Sequence, residues 1–102
     1  MTSTDSLMIS EAESAANATA PRVTLESMTA KIVSETYYRH NLLTICVLEM
    51  ENGFYVVGES APASAANYDA NLGNKFAYEN AIRQLWKLEG YVLREKLSAE
   101  RK

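Results

Sequence analysis

The sequence predicts an α+β domain: an N-terminal helix, an antiparallel β-hairpin, a long helix packed on the sheet, and a short C-terminal helix. Three observations predict it. Residues 42–50 and 54–60 are dense in β-branched and aromatic side chains and flank Asn52-Gly53. Residues 65–88 follow with a helical pattern in which Gly73, Ala77 and Ala81 repeat every four positions. Upstream, Leu25, Met28, Ile32 and Val33 fall at i, i+3, i+7 and i+8, one face of a helix.

Residues 1–20 are rich in Ser, Thr, Ala and Glu, with Leu7, Met8 and Ile9 as their apolar cluster. Such a segment buries too little to offset its ordering entropy, so a disordered arm is expected, with Leu7–Ile9 as an alternative docking motif. One domain, residues 21–102, follows it. Thr24 suits the N-cap of the first helix, and Glu26 favours the positive end of its dipole. That helix is expected to end around residues 36–39. Asn-Gly suits a two-residue type I′ hairpin, where both central residues need positive φ. In that register Met50 faces Tyr55 and Leu48 faces Val57. Cys46, Leu48, Met50, Tyr55 and Val57 then share one face, while Ile45, Val47, Phe54 and Val56 share the other with Glu49 and Glu51. Both faces are partly apolar, so one takes the helices and the other is left for a partner chain or a crossing segment. Pro62 breaks the strand and Ser64 can cap the long helix. Small residues at four-residue spacing let that helix lie close on the sheet. Tyr68, Leu72, Phe76, Leu85 and Leu88 are expected along the core-facing edge, with Tyr78, Ile82 and Trp86 as a second stripe. Gly90 fits the left-handed position that ends a helix, and residues 91–98 are expected to fold back as a short one.

At 102 residues, one compact core is possible and a deep two-lobed active site is not expected. The net charge of −3 is unevenly spread: −2 over residues 1–22, −4 over 23–82 and +3 over 83–102. An acidic body with a weakly basic end lacks the broad positive surface that a phosphate backbone requires. Cys46 is a lone cysteine inside an apolar run, read as a small buried residue rather than a nucleophile. No run approaches the length of a membrane span, and no secretory signal is visible. A soluble cytoplasmic protein is expected.

Taken together, Thr44-Ile45-Cys46-Val47-Leu48, Asn52-Gly53-Phe54, Val57-Gly58-Glu59-Ser60-Ala61, Asn67-Tyr68-Asp69, Gly73, Glu79-Asn80-Ala81, Trp86 and Gly90-Tyr91-Val92-Leu93-Arg94-Glu95 resemble a family of small tailed-phage proteins. The family takes its name from gene product forty-nine of one coliphage and gene sixty-six of a Shigella phage. The resemblance covers residues 21–97 and implies a phage or prophage source with little about mechanism. The chain departs from the family pattern at Tyr68, where Phe is common, and at Pro62, where Cys is frequent. The second departure argues against thiol chemistry in that loop. A weaker likeness is to the double-stranded RNA-binding domain, whose last helix opens with a phosphate-binding lysine cluster. Here that helix opens with Ala65-Ala66-Asn67-Tyr68-Asp69 and carries only Lys75 in its first half.

No catalytic pattern stands out. His40 is the single histidine, Ser34, Ser60 and Ser64 have no adjacent base, and Glu59 and Asp69 are candidate paired carboxylates better read as caps and solvated edges. No cofactor and no metal are expected. The candidate binding residues are Arg83, Trp86, Tyr91 and Arg94, residue types that dominate binding hot spots, which would cluster if the last helix folds back. Trp86 and Tyr91 could equally plug the end of a small core. The expected function is a non-enzymatic phage accessory protein that binds a host or phage protein, self-associates, and modulates host machinery or host defence in the host cytoplasm. The alternatives are a nucleic-acid-binding module and a sponge for a small nucleotide signal.

Overall fold

The computed structural model describes residues 21–100, so the expected arm lies outside the described residues. The chain runs through α1 (Leu25–Thr29), β1 (Ile32–His40), β2 (Leu43–Met50), β3 (Tyr55–Ser60), a 3-10 turn (Ala65–Asn67) and α2 (Ala70–Glu100). The strands form an antiparallel sheet in the order β1-β2-β3. Helix α2 crosses one face of this sheet, over β3 and β2.

Thr24 caps α1: its Oγ1 accepts from the Ser27 amide at 3.0 Å, and Ser27 Oγ accepts from the Thr24 amide at 3.2 Å. Leu25 and Met28 are buried. The helix then stops, instead of reaching residues 36–39, because Ile32, Val33, Thr36, Tyr37 and Tyr38 are strand formers whose β-branched or ring side chains crowd a helix. The Lys31 carbonyl accepts from the Glu51 amide at 2.9 Å and delivers the chain to the sheet. A third strand therefore replaces most of the expected N-terminal helix. It joins β2 through the two-residue loop Asn41-Leu42, where Asn41 adopts φ 53, a left-handed conformation that Asn tolerates.

The second hairpin differs from expectation by one residue. The Gly53 amide donates to the Met50 carbonyl and the Met50 amide to the Phe54 carbonyl, both at 2.9 Å, so the loop holds residues 51–53. Gly53 takes φ 89 and Asn52 does not take positive φ; its Oδ1 instead accepts from the Phe54 amide at 3.0 Å. This is a three-residue loop ending in a left-handed glycine, not a type I′ turn. Leu48 consequently faces Val56, and Val47 faces Val57. Thr44, Cys46, Leu48 and Met50 point toward α2 together with Val56, whereas Tyr55 and Val57 point away.

Helix α2 starts later and ends later than expected. Ser64 caps only the 3-10 turn, its Oγ accepting from the Ala66 amide. Asp69 caps α2 itself, its Oδ1 accepting from the amides of Asn71 at 2.9 Å and Leu72 at 3.1 Å. Gly90 sits inside the helix, with no turn at that point. One glycine costs a helix only about 1 kcal/mol, and helix formers on both sides of it outweigh that cost. Residues 91–98 belong to α2, so no separate C-terminal helix forms among the described residues.

Gly73, Ala77 and Ala81 lie against the sheet. A methyl group built on Gly58 would overlap the Ala77 carbonyl oxygen and the Ala81 amide and approach Ala81 Cα to 2.8 Å. Helix backbone thus rests directly on strand backbone. On Gly73, a methyl group would meet Thr44 Oγ1 at 2.6 Å. Tyr78, Ile82 and Leu85 complete the core beside this strip, while Leu72, Phe76 and Leu88 are more exposed than expected.

Two glycines should behave in opposite ways. Gly58→Ala is expected to lower stability by roughly 1–3 kcal/mol, because backbone cannot yield as a side chain does. At Gly90 nothing lies within 4 Å of an added methyl, so Gly90→Ala should raise stability by about 0.5–1 kcal/mol. Urea denaturation of both variants measures the two effects.

Candidate functional site

Helix α2 runs on to Glu100, past its last buried position, Leu85, and its second half starts alongside the hairpin tip. Between them lies an apolar groove of about 340 Å³. Met50 and Phe54 line it from the hairpin; Leu85, Leu88, Tyr91 and Val92 line it from α2. Successive helix positions three and four apart make that continuous stripe. At the rim, Lys31 Nζ pairs with Glu89 Oε1 at 2.8 Å, holding the turn after α1 to the helix. The pair is partly exposed, so it contributes at most about 1 kcal/mol. The groove is unusually bare: Tyr91 is 68% exposed and Phe54 56%, with Leu88 and Val92 also exposed.

The four residues singled out from sequence do not converge. Without a fold-back, Trp86 packs half-buried against the core while Tyr91 lines the groove. Arg83 and Arg94 are both exposed, separated by roughly 16 Å along the helix at 1.5 Å per residue. Phe54, Leu88 and Val92 were missed as groove residues. Their signal was the stripe Leu85, Leu88, Val92 running through Gly90, which a helix stop at that glycine concealed.

A second hollow, about 240 Å³, opens at the other end of α2, lined by Pro62, Tyr68, Leu72 and Phe76 among others. Nearby, Arg39 donates to Thr44 Oγ1 at 2.5 Å and to Asn74 Oδ1 at 3.0 Å, and its guanidinium lies 5.6 Å from the Tyr68 ring centre. These contacts tie β1 to the start of α2. Asp69 is engaged as a helix cap, and Glu59 extends from the sheet face opposite α2, so the two carboxylates are not paired. His40 is exposed at the end of β1. Cys46 is fully buried, and that burial pushes its thiol up to about 11. Burial also raises the Tyr37 and Tyr78 phenols. Among the described residues, no group of three or more His, Cys, Asp or Glu side chains is placed to hold a metal ion. No helix among them is long and apolar enough to cross a membrane.

Fold and groove define a small α+β domain in which one long helix lies on a three-stranded meander and overhangs it. Over residues 23–97 the chain matches the phage protein family described by N4 Gp49 and phage Sf6 gene 66, and it belongs to that family. No curated protein and no solved structure matches it.

The raised thiol has a signed consequence for stability. An unfolded chain ionises Cys46 near pH 9, whereas the folded chain holds its proton until about pH 11. The folded state then binds the extra proton, so stability should be intact below pH 9 and fall as pH rises toward 11. Chemical denaturation at stepped pH should show that decline, with a shallower slope between pH 9 and 10 in Cys46→Ala.

Proposed function

We propose that this phage protein is a non-enzymatic accessory factor that binds a host or phage protein in the host cytoplasm, modulating host machinery or host defence. The uncovered groove at the overhang of α2 supports this reading most directly. Its lining is apolar, its volume suits one or two inserted side chains of a partner, and aromatic groups stand at its mouth. The matching partner surface is a protein segment presenting bulky apolar side chains, since phosphate or nucleotide ligands require donors and positive charge. Of the three charged residues that line the groove, Lys31 and Glu89 pair with each other and Glu51 adds a negative charge, which disfavours a phosphate ligand further.

Native mass spectrometry of the tagged full chain purified from host cells tests the proposal. A protein partner at fixed ratio is expected, and Tyr91→Asp or Phe54→Asp should weaken it at least about tenfold while the melting temperature changes little. A retained nucleotide or nucleic acid without a protein would overturn the proposal, as would capture indifferent to both substitutions.

A further inference from the structure

The two outer edges of the sheet are not alike. On β3, the outward-facing amide of Glu59 donates to Asn80 Oδ1 of α2 at 3.0 Å, so the helix takes up one outward group of that edge. Nothing among the described residues pairs with the outer edge of β1. The residues that face it follow from the loops. His40 and Leu43 flank a two-residue loop and so exchange backbone hydrogen bonds. By alternation Ser34, Thr36 and Tyr38 also bond β2, and the backbone groups of Glu35, Tyr37 and Arg39 turn outward. The other hairpin agrees: Met50 bonds Phe54, so even-numbered residues of β2 serve β3 and odd-numbered ones are left for β1.

We infer that two copies of this chain pair antiparallel through their β1 edges, with Tyr37 on the twofold axis. In that register Glu35 stands opposite the partner's Arg39, and Arg39 opposite the partner's Glu35. Two opposite-charge cross-strand pairs form by symmetry. Shifting the axis to Glu35 sets Glu35 against itself; shifting it to Arg39 sets Arg39 against itself. The intermediate registers pair neither charge with its opposite. The Tyr37 hydroxyl donates to Glu35 Oε1 at 3.0 Å and holds that carboxylate beside the strand. Arg39, bonded to Thr44 and Asn74, keeps further N–H groups for a carboxylate. This edge carries one charge of each sign, two residues either side of a tyrosine. The bulge between Ile32 and Ser34 ends the pairing at the other side. The product is one continuous sheet whose outer face joins Tyr38, Ile45, Val47 and Val57 of both copies.

This pairing is independent of what fills the groove. Native mass spectrometry of the full chain, with hydrogen exchange at single-residue resolution, tests it. A dimer is expected in which the amides of Glu35, Tyr37 and Arg39 exchange slowly, although a lone protomer leaves them open to water. Glu35→Arg places like charges opposite each other twice. It should weaken the dimer by about tenfold or more and release those three amides, while Thr36 and Tyr38, bonded to β2, stay protected. Glu35→Gln should weaken it less. A monomer at micromolar concentration overturns the inference, and so does a dimer whose Glu35, Tyr37 and Arg39 amides exchange fast.

Discussion

The contact on which the fold depends is between main chains: Gly58 of β3 meets the helix at Ala77 and Ala81 with no side chain between. Ordinary helix–sheet packing leaves a layer of side chains about 10 Å deep, as between stacked sheets. Here the helix sits closer at this crossing, and Ala77 and Ala81 share one core with Tyr78, Ile82, Leu85, Met28, Cys46 and Leu48. Closeness also brings Asn80 within reach of the Glu59 amide and Gly73 onto Thr44. The tilt fixed at this crossing sends one end of α2 toward Arg39 and Tyr68, and the other alongside the hairpin tip.

Much of this was legible in the residues, and the failures have physical causes. The strip Gly73, Ala77, Ala81 announces a close approach, because small residues at one-turn spacing have few other uses. The N-cap at Thr24 and the family resemblance were likewise readable. The length of the first helix was not: Leu25, Met28, Ile32 and Val33 satisfy helical spacing, but β-branching from Ile32 onward decides for strand once β2 offers a hydrogen-bonding edge. At Gly90, local preference argued for a stop, yet helix formers beyond it carry the pattern through. Both errors arose where a local signal met a stronger tertiary or cumulative one.

The candidate site inherits those errors. Arg83, Trp86, Tyr91 and Arg94 were grouped on a fold-back that a continuous helix forbids. Of the four, only Tyr91 lines the groove, while Trp86 contributes its ring to the core. What continuity provides instead is an apolar stripe held alongside the hairpin tip, facing Met50 and Phe54. The surface proposed to bind thus follows from the same unbroken helix that the close crossing orients.

The loop at residues 51–53 has a further consequence for how this chain can evolve. Because side chains alternate along a strand, the count of residues in that loop sets the parity of all of β3. Three residues bring Val56 and Gly58 inward. If β3 slips by one residue to follow a shortened loop, Glu59 takes the place of Gly58 and sets a carboxylate where only a bare α-carbon fits; following a lengthened loop, Val57 takes that place. Substitutions at Glu51 or Asn52 leave the parity untouched. Descendants of this sequence are therefore freer to change Glu51 than Gly53, whose positive φ resists any side chain, and a one-residue slip of β3 removes the seat of the helix.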